Sequence, residues 1–356
     1  MAALAWPRFG RGLVEIAIVV SQVGFCCAYL LFIVSNLEKY YLEVSRKFWL
    51  TLMLPAAFMF TLIPDLKTMA WVTFAAQLLQ LTAFMVVIDF DFDHLHLIEF
   101  KNRKETDFNQ LPFFTAIAVY CFEVSYFTKF VQSLITLFHF FLQGAGMILT
   151  LEHSVPDHYR SSFKSIFVKV IAFVAFLYVF FGVAGYLSYG EATRDVISLN
   201  LESHGWINWS VIVKLLLCTA LFLTYPLMMF PVIKILRKRL SEVCRCTQDN
   251  LVMNLVMRLV LVSITGLTIL VIPNFGQIME LIGATVCTQL AFTLPALFHF
   301  LLNKNPTYEE KRLDISLIIV GVATFLICTY RAIMDILEDY NKAKEEMEKA
   351  AFESHQ

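Results

Sequence analysis

Glu123 is a carboxylate inside the stretch 111–151, which is almost wholly apolar apart from this residue, Lys129 and His139. In lipid such a charge costs on the order of 3 kcal/mol unless it is paired or faces water, so it should point inward. There it would carry or organise protons, or anchor broken backbone by hydrogen bonds; the residue alone allows both. Further along stand Gly144, Ala145 and Gly146. A helix broken at these small residues would offer free N–H and C=O groups to the carboxylate and ammonium of a small solute. Such groups are tolerated at membrane depth only where they face a cavity. The other reading of the three residues is close packing between helices. No catalytic constellation accompanies them: the histidines are scattered, no metal-ligand spacing occurs, and there is no phosphate-binding Gly-Lys loop. The expectation is therefore a protein that is not an enzyme and needs no cofactor.

The elements that must position these residues are membrane helices. Hydrophobic residues make up 58% of the 356, charged residues only 16%, and the mean hydropathy is +0.68. That composition excludes an ordinary soluble protein. The net charge of −1, with basic residues in short clusters, argues against a nucleic-acid partner. Nine apolar blocks lie near 12–36, 48–64, 68–88, 111–151, 165–188, 209–233, 252–273, 277–302 and 313–333. They are continuous and lack the alternation of a membrane β-barrel, so the fold class expected is all-α, a polytopic membrane protein with about nine transmembrane helices. The first run is long enough to span and is not preceded by a cleavable signal. The charged tail 334–356 carries Glu338/Lys342 and Glu345/Lys349 at i,i+4 spacing, which suits a solvated helix extending the last span. Six cysteines lie in apolar spans and suit packing, with no disulfide framework visible. Glu15, Lys214 and Arg258 are near enough to span ends to snorkel, and Glu280, early in its block, is expected at the interface.

Orientation is only weakly fixed by Lys and Arg. The better arrangements all place "KILRKRLSEVCRC" (234–246) in the cytoplasm; nine crossings with the N-terminus inside put the tail on the other side.

The motifs "VVSQVGFCCAYLLFIVSN" (19–36), "LMLPAAFMFTLIPDLKTMAWVTFAAQLLQL" (52–81), "GVAGYLSYGEATRDVISLNL" (182–201), "LTYPLMMFPVIKIL" (223–236) and "IPNFGQIMELIGATVCTQLAFTLPALFHFLL" (272–302) closely resemble the proton-coupled amino acid transporters of the amino acid/auxin permease family. The resemblance covers nearly the whole chain. It implies a LeuT-type helical bundle of two inverted five-helix repeats, in which the first and sixth helices unwind at the midplane to hold substrate. Residues 1–333 resemble family helices three to eleven, so the bundle would lack the first two family helices, half the substrate site and the proposed proton-linked histidine. The resemblance places Phe122, Gly144, Ala145 and Gly146 of the sixth helix, Tyr29 of the third, and Thr224 and Tyr225 of the eighth near the substrate, with core packing the alternative for the aromatic and hydroxyl residues. Glu123 is then the candidate for proton coupling or for a structural anchor.

"VYCFE" (119–123) and "GAGMILTLEHSV" (144–155) are the two halves of the family's sixth-helix motif, and 124–143 separate them. Without that segment the helix is of ordinary length. The segment begins Val-Ser, encodable as GTA-AGT, and ends in Gln, encodable as CAG after a Phe- and Leu-rich run, the pattern of a retained in-frame intron. A lineage-specific insertion is the alternative.

The resemblance implies secondary active transport of small neutral amino acids in a lipid bilayer, driven by a proton gradient, with sodium as the other candidate ion. The membrane would be the plasma membrane or a lysosomal or endosomal one. Two other functions stand beside it, an endolysosomal amino-acid sensor or scaffold and a non-functional truncated isoform. Residues alone name neither the amino acid nor the oligomeric state.

Overall fold

The computed structural model describes residues 10–40, 44–63, 66–95, 108–121, 157–193, 197, 200, 209–244, 251–272, 274–303 and 306–353. They form helices α1 (Gly10–Tyr40), α2 (Arg46–Thr61), α3 (Leu66–Leu95), α4 (Leu111–Cys121), α5 (Asp157–Tyr189), α6 (Trp209–Cys244), α7 (Leu251–Val271), α8 (Phe275–Leu302) and α9 (Tyr308–Glu353). Six helices among the described residues are long and apolar enough to cross a membrane, in α1, α3, α6, α7, α8 and α9; α4 and Ala175–Tyr189 of α5 are shorter apolar helices.

α1 is the centre of the bundle. Every residue from Gly24 to Val34 is buried, as expected for a helix apolar around its whole circumference. It packs against α2, α6, α7 and α8, and α3 packs against α6. The outward faces remain apolar: Trp71, Leu78 and Met85 of α3 and Val256, Leu259 and Leu267 of α7 are exposed. In a bilayer those faces meet acyl chains, which accept them without cost.

Helix ends and irregularities follow from single residues. Gly190, at φ 58°, closes α5 in the left-handed conformation. Asn274 caps α8, its side chain accepting from Gly276 N at 2.9 Å. Pro226 and Pro231 lie inside α6, and each withdraws one N–H from the helix ladder. α8 contains two π-helical segments, Gly283–Cys287 and Gln289–Thr293. The backbone N–H of Thr288 donates to Gly283 O, five residues back, and closes the first of them, and Thr288 Oγ1 donates to the same carbonyl at 2.7 Å. α9 has 46 residues, about 69 Å at 1.5 Å per residue, against a hydrocarbon core of about 30 Å. Its far end carries the ion pairs Glu338–Lys342 at 2.7 Å and Lys344–Glu348 at 3.8 Å.

Candidate functional site

The middle of α1 brings the aromatic and hydroxyl candidates together. Tyr29, Tyr225 and Tyr120 of α4 are buried in one cluster with Phe25, Cys26 and Cys27. The ring of Tyr120 stands edge-on to Phe25, with centroids 4.9 Å apart, and Tyr29 is within electrostatic reach of Tyr120. Cys26 Sγ lies 3.9 Å from the carbonyl oxygen of Tyr225. Thr265 Oγ1 donates to Val262 O at 2.7 Å, so its 3.3 Å contact with the Tyr225 hydroxyl is one in which tyrosine is the donor. Thr224 is buried too, but its hydroxyl is turned to its own helix, sharing its proton between Ala220 O and Leu221 O at 3.0 Å each.

Tyr120 was not among the sequence candidates, although it stands two residues before Phe122 in the same motif. Its neighbour across the bundle is the start of the π-helical region of α8. A Cβ on Gly283 would overlap Ala116 O and come within 3.0 Å of Tyr120 Cβ. Only glycine allows α4 and α8 this approach. Phe122, Glu123, Gly144, Ala145 and Gly146, together with the segment 124–143, lie outside the described residues.

A second polar site stands on α8. Glu280 has 0% exposure, which corrects the expectation that it faces the interface. An apolar block shows how early in the helix a residue falls, not which side its neighbours cover. Neither carboxylate oxygen has a hydrogen-bond partner among the described residues, and the side chain is within electrostatic reach of Arg331 and Asp335 of α9. One turn earlier, Gln277 Nε2 donates to Asp339 Oδ2 at 2.8 Å and to Asp335 O at 3.3 Å. Asp335 is ion-paired with Arg331 at 3.1 Å.

Charges cluster at the other end of the bundle. Glu15 accepts from Arg11 Nε at 2.7 Å and from Arg239 Nε at 2.5 Å, and Glu242 lies 3.8 Å from Arg11 and 3.4 Å from Arg239. The network ties the start of α1 to the end of α6, in the basic segment assigned to the cytoplasm. Arg258 is buried and donates to Asn254 Oδ1 at 3.2 Å, reaching back towards the start of α7. No group of metal-ligating side chains occurs among the described residues.

The family model described as transmembrane amino acid transporter protein matches residues 2–136 and 128–334, so the chain belongs to that family, one of integral multi-pass carriers and not of enzymes. It is similar to amino acid transporter AVT3B of Arabidopsis thaliana, with 30% identity over 94% of this chain and 77% of that protein. It is also similar to amino acid transporter AVT3C of the same plant, with 31% identity over 92% of this chain and 72% of that protein. A third relative is the proton-coupled amino acid transporter-like protein pathetic of Drosophila melanogaster, 24% identical over 94% of this chain and 69% of that protein. No solved structure matches the chain.

Proposed function

We propose that the protein is a secondary active symporter of small neutral amino acids driven by protons. The observation that carries this reading is the family match that runs from residue 2 to residue 334. The proton is supported by similarity to a fly protein named as proton-coupled. The size of the substrate is supported by the small side chains of Gly144, Ala145 and Gly146. Tyr225 and Thr224 on α6 and Tyr29 on α1 line the substrate site in this reading, and the resemblance adds Phe122, Gly144, Ala145 and Gly146 to it. Glu123 organises the broken backbone or the proton beside it.

Uptake of labelled glycine, alanine and proline into liposomes tests the proposal. An inward proton gradient should raise uptake of all three, and excess unlabelled glutamate or lysine should not compete. Uptake that follows a sodium gradient and ignores the proton gradient would contradict the proposed coupling. Competition by charged amino acids as strong as by alanine would contradict the proposed substrate class.

A further inference from the structure

We propose that Glu280 is a proton-binding residue of the transport cycle, loaded through the polar cluster of Gln277, Asp335 and Asp339; this rests on the proton-coupled reading above. Buried polar groups in native proteins are hydrogen-bonded with few exceptions, and an exception calls for a physical reason. Glu280 is such an exception twice over, with both oxygens unpartnered among the described residues and no exposed surface. An ionised carboxylate is poorly tolerated there, whereas a protonated one is neutral and can stay packed.

The charges around it come from one element. α1 has no charged residue from Ile16 to Leu37, and α4 has none from Leu111 to Cys121. Their titratable groups near α8 are the weakly acidic Cys26 and Tyr120. α9 supplies Cys328, Arg331 and Asp335. Asp335 is committed to Arg331, and Asp339, which is exposed, is held by Gln277 one turn before Glu280 on the same face of α8. Polar groups thus run along α8 and α9 from the exposed Asp339 to the turn of α8 that carries Glu280.

The step is a proton transfer alone. Hydronium at the α9 end gives a proton to the Glu280 carboxylate, its O–H bond breaking to leave water as the carboxyl O–H forms; after the bundle rearranges that carboxyl O–H breaks, and water on the opposite side takes the proton as hydronium. The packed arrangement of α1, α4, α8 and α9 tolerates the acid and rejects the anion. Protonation thus biases one conformation over the other, which is the differential affinity that coupling requires. The π-helical segments that begin at Gly283 place an adaptable stretch of backbone directly after the carboxyl.

The test reconstitutes wild type, E280Q and E280D in liposomes. E280Q is expected to lose proton-driven accumulation of alanine by about tenfold or more while still exchanging alanine across the membrane. Its exchange should be independent of pH. E280D should keep the gradient dependence at a lower rate. In detergent at neutral pH, the infrared carbonyl band of a protonated carboxylic acid should be present in wild type, shifted in E280D and missing in E280Q. A wild type that ignores the proton gradient overturns the proton-coupled reading and this inference with it. A wild type that is driven by protons, with E280Q driven equally and showing the same pH profile, overturns the inference alone. Should E280Q fail to fold, an E280D spectrum identical to wild type overturns it.

Discussion

The α-carbon of Gly283 in α8 sits so close to Ala116 O in α4 that one added methyl group would overlap the carbonyl. The obstacle is backbone, which cannot swing away as a flexible side chain can. Gly283→Ala should therefore destabilise the detergent-solubilised protein by about 1–3 kcal/mol through overpacking. Gly182 in α5 has nothing within 4 Å of the same hypothetical atom among the described residues, so Gly182→Ala should be neutral or stabilising by up to about 1 kcal/mol. Thermal unfolding of the two variants side by side checks the pair. Equal melting points would show that α4 does not rest on Gly283.

Tyr225→Phe removes one donor and little volume. Thr265 keeps its own bond to Val262 O at 2.7 Å, so no buried polar group loses its partner and the stability cost should be about 1 kcal/mol or less. If the hydroxyl also serves substrate, the KM for alanine should rise severalfold with melting nearly unchanged. A melting point lowered strongly with KM unchanged would make Tyr225 a packing residue only.

The Glu15–Arg239 contact is partly open to solvent, with side-chain exposures of 19% and 40%. Arg239→Ala should cost about 1 kcal/mol or less, and the cost should shrink in high salt. Arg11 remains to balance Glu15. The sharper expectation is kinetic, because the contact joins two helices at the end assigned to the cytoplasm. Loosening it should change the rate of alanine exchange more than the melting point. The reverse ranking would make it a structural clasp.

The helices were legible because nothing else could be made of continuous apolar runs: the block 252–273 became Leu251–Val271, and 209–233 became the core of Trp209–Cys244. The packing around Tyr29 and Tyr225 was legible only through resemblance, since an all-apolar helix carries no periodic signal to say which face is inward. That same silence hid Glu280. Its neighbours Gln277, Arg331, Asp335 and Asp339 stand on two helices far apart in sequence, and their convergence is a product of packing. The π-helical turns of α8 left no local signal either, since Gly283 and Thr288 are ordinary residues until the backbone N–H of one bonds the carbonyl of the other.

The segment 124–143 gives a genetic prediction. The two family matches overlap within it, at residues 128–136. Transcripts lacking the corresponding codons are expected on sequencing complementary DNA across the junction. The protein made from them should take up more alanine than the form that retains the segment. Transcripts that uniformly keep the codons would make the segment a genuine insertion.

Proton movement caused by substrate tests the central claim most directly. Liposomes containing the protein and an internal pH-sensitive dye, at equal pH on both sides, receive alanine outside. The expected result is internal acidification that saturates with alanine and tracks labelled alanine uptake. Uptake of labelled alanine with no acidification would contradict proton-coupled symport.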